Sequence, residues 1–255
     1  MFILDEDIGA AKSLIAQGVD KIVLTGSAET GRAVYQQAAE QLTPLMLELS
    51  GFDPVFVQHG ADLRRAAEAI RFGLSWNSGE TCIAPRRIFA ASSVAELFQQ
   101  TLRALVPEAG SLPVTHYQTE EQALALAAQS RCALGASVFG PIETAHAFAA
   151  RIAAGIVVVN DMIVPTADPR AAFGGRGQSG FGTTRGAKGL RQFTVTKTIL
   201  VQYKRRLRHL EPLPPHAEEL LKAYLPASCA THLGKRLRAS LRLFQALAKG
   251  RRLAS

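Results

Sequence analysis

The sequence predicts an α/β fold. Short β-branched runs alternate with segments in which apolar residues recur every three or four positions, the pattern of a chain that alternates strands and amphipathic helices. With 255 residues, of which 47% are hydrophobic, the chain is long enough to bury a substantial core in one or two domains.

The first elements are predicted as strand, loop, helix and strand. Residues 21–25 form a β-branched run, and a loop of small residues follows. The next apolar positions have helical spacing: Ala33, Val34, Ala38 and Leu42. Residues 45–49 and 55–57 are expected to form two further strands.

The middle of the chain continues the alternation. Residues 62–75 predict a helix with one apolar face, made by Leu63, Ala66, Ala67, Ile70 and Leu74. A strand at 87–90 and a helix at 94–106 follow. Thr119 and Gln122 have the spacing of a capping box before a helix at 123–128, and residues 155–159 predict a buried strand.

Positive charge is concentrated in the last part of the chain. Residues 204–255 contain 12 Lys/Arg and three Asp/Glu, which leaves 17 and 18 for the first 203 residues. The Pro-rich segment 211–215 disfavours regular structure. We therefore predict a basic tail that begins near Lys204.

The tail itself predicts an amphipathic helix over residues 232–253. Its apolar positions recur at three- and four-residue spacing: Leu233, Leu237, Leu241, Phe244 and Leu247. Such a helix suits an anionic membrane surface or an acidic partner, and it equally suits packing on its own domain with a solvated basic face. Nucleic acid is disfavoured because aromatic residues are sparse.

Composition favours a cytoplasmic protein without a metal. Asp5, Glu6 and Asp7 interrupt the apolar start, so a signal peptide is not expected. Three scattered cysteines make neither a disulfide framework nor a metal-ligand cluster, and the six histidines lack ligand spacing. We expect Cys132 to be a packing residue and Cys229, in the tail, to have no catalytic role.

Glu48 and Cys82 are the candidate catalytic residues. A thiol that attacks a carbonyl must ionise, and a nearby carboxylate can take its proton or activate a water. On their own, two such residues are better explained by a surface acid and a small buried hydrophobe.

The segments around this pair resemble the aldehyde dehydrogenase superfamily. Residues 24–31 read Leu-Thr-Gly-Ser-x-x-x-Gly, residues 48–51 read Glu-Leu-Ser-Gly, and residues 79–82 read Gly-Glu-Thr-Cys. Residues 155–160 and 173–182 are similar to two later signatures of that family. The resemblance runs in order from about Gly18 to Gln202.

The resemblance implies an NAD(P)-dependent oxidation of an aldehyde to a carboxylic acid. Cys82 would attack the aldehyde, its backbone amide would hold the oxyanion, and Glu48 would activate the water that hydrolyses the thioester. Phe173 would line the substrate tunnel.

The same resemblance places NAD or NADP at the first small-residue loop. Gly26, Ser27 and Gly31 would hold the pyrophosphate at the start of a helix, and Leu49 would form a wall near the nicotinamide. The loop is not the Gly-x-Gly-x-x-Gly fingerprint, and the pattern alone favours an ordinary strand-to-helix turn.

The chain departs from the family in length. Members are about twice as long, and most of the N-terminal cofactor domain and a segment between Ala90 and Pro113 have no counterpart here. Among the smaller changes, Glu80 stands where Gln is usual, and a negative charge two residues before Cys82 is expected to raise the pKa of the thiol.

We therefore expect an aldehyde-dehydrogenase-like α/β fold in three parts. They are a partial Rossmann-type cofactor portion at 1–50, a catalytic portion at 51–203 and the tail at 204–255. A strand at 194–201 is expected to extend the sheet of a neighbouring copy in a homo-oligomer. The alternatives are a truncated relative that forms thioesters without oxidation or needs a partner chain, and a membrane-associated remnant without catalysis.

Overall fold

The structure, a computed structural model, describes residues 8–106, 112–203 and 217–252, and for residues 248–252 only the backbone is described. The chain divides into two units, residues 1–196 and residues 197–255. The boundary predicted near Lys204 and the Pro-rich segment lie outside the described residues.

The first unit begins with a small sheet in the order β1-β2-β10. Helix α1 (Ile8–Gln17) precedes β1 (Ile22–Gly26), and α2 (Ala28–Glu40) connects β1 to β2 (Leu45–Leu49). β1 and β2 are parallel, with Thr25 opposite Glu48. The short strand β10 (Gly180–Phe181) pairs with β2 in the antiparallel direction, so a late segment of the chain closes on an early one.

A five-stranded parallel sheet in the order β5-β4-β3-β7-β8 follows. Its strands are β3 (Asp53–Val57), β4 (Pro85–Ala91), β5 (Val114–Tyr117), β7 (Gly135–Phe139) and β8 (Ile156–Val159). The crossover helices are α3 (Leu63–Ser75), α4 (Ala95–Leu105), α5 (Glu120–Ala127) and α6 (Ile142–Ala149). A parallel sheet with helical crossovers is buried on both faces, which explains why all five residues of β3 and of β7 are buried.

Two hydrophobic clusters cover this sheet. One contains Ile70 of α3, Phe98 of α4 and Val57 of β3. The other contains Phe56 of β3 and Phe148 of α6, whose rings meet edge to face at 5.0 Å between centroids. Adjacent residues of β3 therefore point into opposite clusters, as strand geometry requires.

Three short elements complete the first unit. β6 (Cys132–Ala133) pairs with β9 (Arg176–Gly177), and α7 (Gly186–Arg191) follows β10. These elements hold the Gly-rich segment 173–182 against the sheets.

The second unit contains a helical hairpin. α8 (Ala217–Cys229) and α9 (Leu233–Arg252) pack together, with Ala223 and Ala239 buried. α9 occupies the region where the sequence predicts an amphipathic helix.

The strand predicted at 194–201 is not formed in the single chain, and its pairing with the sheet of a neighbouring copy stays a prediction. Residues 194–203 contain no strand, and Val195 and Leu200 are 94% and 90% exposed. A strand requires a partner for its ladder, and none of the described sheets includes residues 194–201.

Candidate active site

Glu48 lies near the end of β2, a central strand of the small sheet. The strand alternates sides, so Leu47 and Leu49 are buried while the Glu48 side chain is half-buried. Thr184 Oγ1 donates a hydrogen bond to Glu48 Oε1. The carboxylate is therefore held in one orientation by a residue far along the chain.

Thr184 is fixed by a two-way backbone bridge to Phe173. Phe173 N donates to Thr184 O over 2.9 Å, and Thr184 N donates to Phe173 O over 2.7 Å. Phe173 is buried, and the Arg185 guanidinium stacks over its ring at 4.5 Å from the centroid. Thr184 thus connects Phe173 to Glu48 through hydrogen bonds. The role of Phe173 in a substrate tunnel stays a prediction.

Cys82 follows a tight turn that connects α3 to β4. Asn77 and Ser78 inside the 3₁₀ segment Trp76–Gly79 have φ of 49° and 54°, a conformation that side-chain-bearing residues rarely adopt. Arg86 Nη2 donates to Gly79 O over 2.7 Å and steadies this turn. The turn delivers Cys82 to the amino end of the parallel sheet.

One backbone hydrogen bond joins the two predicted catalytic segments. Gly51 N, three residues after Glu48, donates to Cys82 O over 3.2 Å. A Cβ at Gly51 would lie 2.4 Å from that carbonyl oxygen, so only glycine permits this approach. The fold thereby brings Glu48 and Cys82 into one site.

The thiol of Cys82 lies among negative charges. Cys82 is exposed as a residue, yet the pKa of its thiol is raised, first by partial desolvation of the sulfur and then by the charges of Asp53 and Glu48. The backbone amides of Ile83 and Cys82 oppose the rise. The prediction that Glu80 raises the pKa of the Cys82 thiol is wrong, because Glu80 is not among the groups that shift this pKa. Proximity in sequence did not place this carboxylate against the sulfur.

Asp53 is the carboxyl that sequence reasoning missed. It begins β3, is 4% exposed, and its Oδ1 has no hydrogen-bond partner among the described residues. Burial raises its pKa to about 7, against the opposing effects of the Gly135 backbone and of Arg87 and Arg86. Two glycines make room for its carboxyl oxygens. A Cβ at Gly51 would lie 2.4 Å from Oδ1, and a Cβ at Gly135 would lie 2.4 Å from Oδ2.

Ser179 ties the Gly-rich segment to both sheets. Its side chain is fully buried, its Oγ donates to Ser50 O over 2.9 Å, and it accepts from Ala133 N over 3.0 Å. Ser50 follows β2 and Ala133 precedes β7, so one hydroxyl links the strand of Glu48 to the parallel sheet. The sequence signal was its place in the family-like segment 173–182.

The predicted cofactor residues surround the first turn of α2. Ser27 is the N-cap, and its Oγ accepts from Thr30 N over 3.0 Å. A Cβ at Gly26 would meet nothing closer than 3.8 Å, so the backbone before the helix is open to a ligand. An exposed helix N-terminus behind a small-residue loop fits the negative charge of a pyrophosphate, although Glu29 in the first turn opposes it.

Gly31 and Leu49 contact each other instead of an open space. Both are buried, and a Cβ at Gly31 would lie 2.6 Å from Leu49 Cδ1. Their roles beside a cofactor stay predictions, and their immediate role is to let α2 pack closely on β2.

The other family-like segment is structural. Asn160, at φ 56°, exchanges two side-chain hydrogen bonds with the backbone of Gly140 and so joins the ends of β8 and β7.

The described residues contain no group of three or more His, Cys, Asp or Glu side chains that could hold a metal ion.

Comparison with known proteins agrees with this geometry. The sequence profile of the Aldehyde dehydrogenase family matches residues 5–110 and 111–199. The chain belongs to the aldehyde dehydrogenase family.

Two relatives in this family differ in how much of the chain they match. The 4,4'-diaponeurosporen-aldehyde dehydrogenase of Staphylococcus aureus is 26% identical over 84% of this chain and 61% of its own length. The 4,4'-diapolycopene-4,4'-dial dehydrogenase of Cytobacillus firmus is 39% identical, but over 42% of this chain and 23% of its own length. The chain thus spans less than two thirds of these aldehyde dehydrogenases.

Solved structures of aldehyde dehydrogenases share the fold. A betaine aldehyde dehydrogenase of Staphylococcus aureus in complex with NAD+ superposes with a TM-score of 0.68 at 23% identity, over 76% of this chain and 54% of that one. An NAD-dependent aldehyde dehydrogenase from Sinorhizobium meliloti gives a TM-score of 0.68 at 22% identity, over 74% and 52%. The α/β aldehyde dehydrogenase fold predicted from the sequence is therefore confirmed.

Proposed function

We propose that this protein is an NAD(P)-dependent aldehyde dehydrogenase that oxidises an aldehyde to a carboxylic acid through a thioester on Cys82. The observation that carries the proposal is the convergence of Glu48 and Cys82 through the Gly51–Cys82 hydrogen bond. Family membership and the names of the relatives, which denote aldehyde dehydrogenases, support it.

In the first step the Cys82 sulfur attacks the aldehyde carbonyl carbon, and its thiol proton passes to Glu48, which releases it to solvent before the hydrolytic step. Burial and two carboxylates favour the protonated thiol at rest, so a proton acceptor is required before attack. Glu48 is near enough for its charge to act on the thiol. The Cys82 backbone amide would stabilise the oxyanion of the adduct.

When bound, NAD or NADP would supply the acceptor for the hydride, and loss of that hydride from the substrate carbon would leave a thioester on Cys82. The open N-terminus of α2, with Gly26 and Ser27, would hold the pyrophosphate. Gly31 and Leu49 would support this part of the site by packing α2 onto β2.

Glu48 then takes a proton from a water that attacks the thioester carbonyl, and the carbon–sulfur bond breaks to release the acid and the Cys82 thiolate. The bond from Thr184 holds the carboxylate in place for this step. The buried ring of Phe173, joined to Thr184, is the proposed apolar wall on the substrate side.

The first test is a calorimetric titration with NAD and then with NADP, followed by an aldehyde screen that measures NADH or NADPH formation. We expect a dissociation constant between about 1 μM and 1 mM, the usual range for enzyme substrates. Cys82→Ser should abolish aldehyde-dependent reduction, and Cys132→Ser is the matched control that should retain it. Absence of binding to both nucleotides would overturn the proposal for this chain alone.

A second candidate is a relative that forms thioesters without oxidation or needs a partner chain. The observation that favours it is that the chain spans 61% of one relative and 23% of the other. Selective electrophile labelling of Cys82 in a protein that binds neither nucleotide would support this alternative.

We also propose partners beyond the aldehyde. The exposed apolar residues at 195–203 suit association with a second copy, and the basic tail suits an anionic surface.

A further inference from the structure

Helix α9 presents an apolar face that α8 does not cover. Five large apolar side chains lie three or four residues apart along one side of the helix, and each is between 51% and 75% exposed. We call them the apolar stripe: Leu233, Leu237, Leu241, Phe244 and Leu247.

The apolar stripe lies on a different side of α9 from the residues that pack against α8. Ala239 is buried, and Leu243 and Ala246 are half-buried; these residues also lie three or four positions apart, on another side of α9. On α8, Ala223 is the buried counterpart. The contact between the two helices is therefore made by a separate set of residues, and it leaves the stripe open.

The charge of α9 has one sign. From Leu233 to Arg252 the helix contains seven Lys/Arg and no Asp or Glu. Arg236 and Arg238, both exposed, lie on either side of the stripe around the helix. A helix with leucines on one side and arginines and lysines beside them has the composition of helices that lie in the interface of a membrane.

Charge selects among the possible occupants of the stripe. A second copy of α9 would bring like charges together, which opposes pairing. A nucleic acid would satisfy the arginines but leave the leucines uncovered, and Phe244 is the single aromatic residue of the helix. An anionic bilayer satisfies both parts, because its acyl region covers apolar side chains and its headgroups carry negative charge.

We propose that α9 docks parallel to the surface of an anionic lipid bilayer, with the apolar stripe inserted at the boundary between headgroups and acyl chains. Among the described residues, helices are too short or too polar to cross a membrane, so the contact is peripheral. This docking is independent of the proposed catalysis and would place the enzyme where apolar aldehydes partition.

The test is flotation of the purified full chain with vesicles. One vesicle contains phosphatidylglycerol and phosphatidylcholine in equal parts, and the other contains phosphatidylcholine alone. The stripe variant is Leu237→Gln with Leu241→Gln, at sites that are 62% and 65% exposed. The matched control is Leu97→Gln with Leu190→Gln in the first unit, at sites that are 60% and 72% exposed.

We expect the unaltered chain and the control to float with the anionic vesicles and not with the neutral ones. The stripe variant should lose at least about tenfold in the partition coefficient. A variant with Arg236, Arg238 and Arg242 changed to Gln should lose binding and the salt dependence that accompanies it. Helix content by circular dichroism checks that each variant is folded.

Three results would overturn the proposal. They are an unaltered chain that stays with the lipid-free fraction, equal losses in the stripe and control variants, and a fall in sedimentation mass without lipid in the stripe variant alone. The last result would assign the stripe to contact between copies. If the stripe variant unfolds, the salt dependence of the unaltered chain and the arginine variant still decide the matter.

Discussion

At the scale of single residues, the chemistry depends on how the Cys82 thiol and the carboxyl groups of Glu48 and Asp53 act on one another. Glu48 is oriented by Thr184, whereas Asp53 is buried without a partner for Oδ1 and lies against the Cys82 segment. Arg87 is close enough to act on Asp53, yet its hydrogen bonds go to the backbone oxygens of Phe52, Leu126 and Ala127. Asp53 therefore acts on Cys82 as a weakly compensated charge.

The first prediction concerns Asp53 and the reactivity of Cys82. Asp53→Asn removes a charge that raises the pKa of the thiol, so Cys82 should be alkylated faster by iodoacetamide above about pH 7.5, where Asp53 is ionised. Below about pH 6 the two proteins should converge, because Asp53 is then already neutral. The measurement uses chains in which Cys132 and Cys229 are changed to Ser.

Glu80→Gln is the control, since it removes a charge near Cys82 in sequence that is not among the causes of its raised pKa. Equal acceleration in both variants would show that general charge, not the position of Asp53, sets the reactivity.

The second prediction concerns stability and pH. The folded-state pKa of Asp53, about 7, lies above the ordinary value of 3.8, so folding takes up a proton between these values. Stability should be greatest in acid with respect to this group and should fall as the pH rises from about 4 to 7, by on the order of 4 kcal/mol. Urea unfolding across this range should show a smaller fall in Asp53→Asn, while Asp20→Asn, at an exposed site, should behave as the unaltered chain.

At the scale of elements, the sequence predicted those with strong local signals. Thr119 caps α5 through the Gln122 amide, as the spacing of the two residues predicts. The helix predicted at 62–75 is α3, which Asp62 caps through the Arg65 amide. β7 and α6 had no such signal, because a short run of small and apolar residues fits several structures. The link from Thr184 to Glu48 joins residues 136 positions apart and depends on the tertiary fold.

The third prediction tests how α2 is seated on β2. Gly31→Ala places a methyl group 2.6 Å from Leu49 Cδ1, so it should lower the free energy of unfolding by about 1–3 kcal/mol, despite the higher helix propensity of alanine. When Leu49 is also changed to Ala, Gly31→Ala should lower the free energy of unfolding by less, because the clashing side chain is gone. A double-mutant cycle measures this coupling. Gly26→Ala, with its nearest contact at 3.8 Å, should be tolerated.

The fourth prediction tests the link between the two sheets. Ser179→Ala leaves Ser50 O and Ala133 N without their partner, which should cost about 1–3 kcal/mol in urea unfolding. Ser13→Ala on the exposed side of α1 should change stability by less than about 0.5 kcal/mol. Equal effects at the two serines would contradict a structural role for the buried hydroxyl.

At the scale of the whole molecule, the exposed apolar segment 194–203 bears on whether copies of the chain associate. The segment after α7 has strand-forming composition, which is why the sequence favoured a strand, yet ladder bonds to a second element are what make a strand. The same residues leave Val195, Leu200 and Tyr203 at least 88% exposed. Contact with another copy would supply both the missing ladder and the missing cover.

The fifth prediction is therefore that the chain sediments as a multiple of its 27.3 kDa mass. Val195→Asp with Leu200→Asp should shift it to the monomer, because two charges would enter an apolar contact. Val164→Asp, at a 59% exposed site, adds a charge outside this segment and should leave the mass unchanged. If the unaltered chain is already a monomer, the exposed segment must be covered by something other than a second copy, and the homo-oligomer expected from the sequence would be wrong.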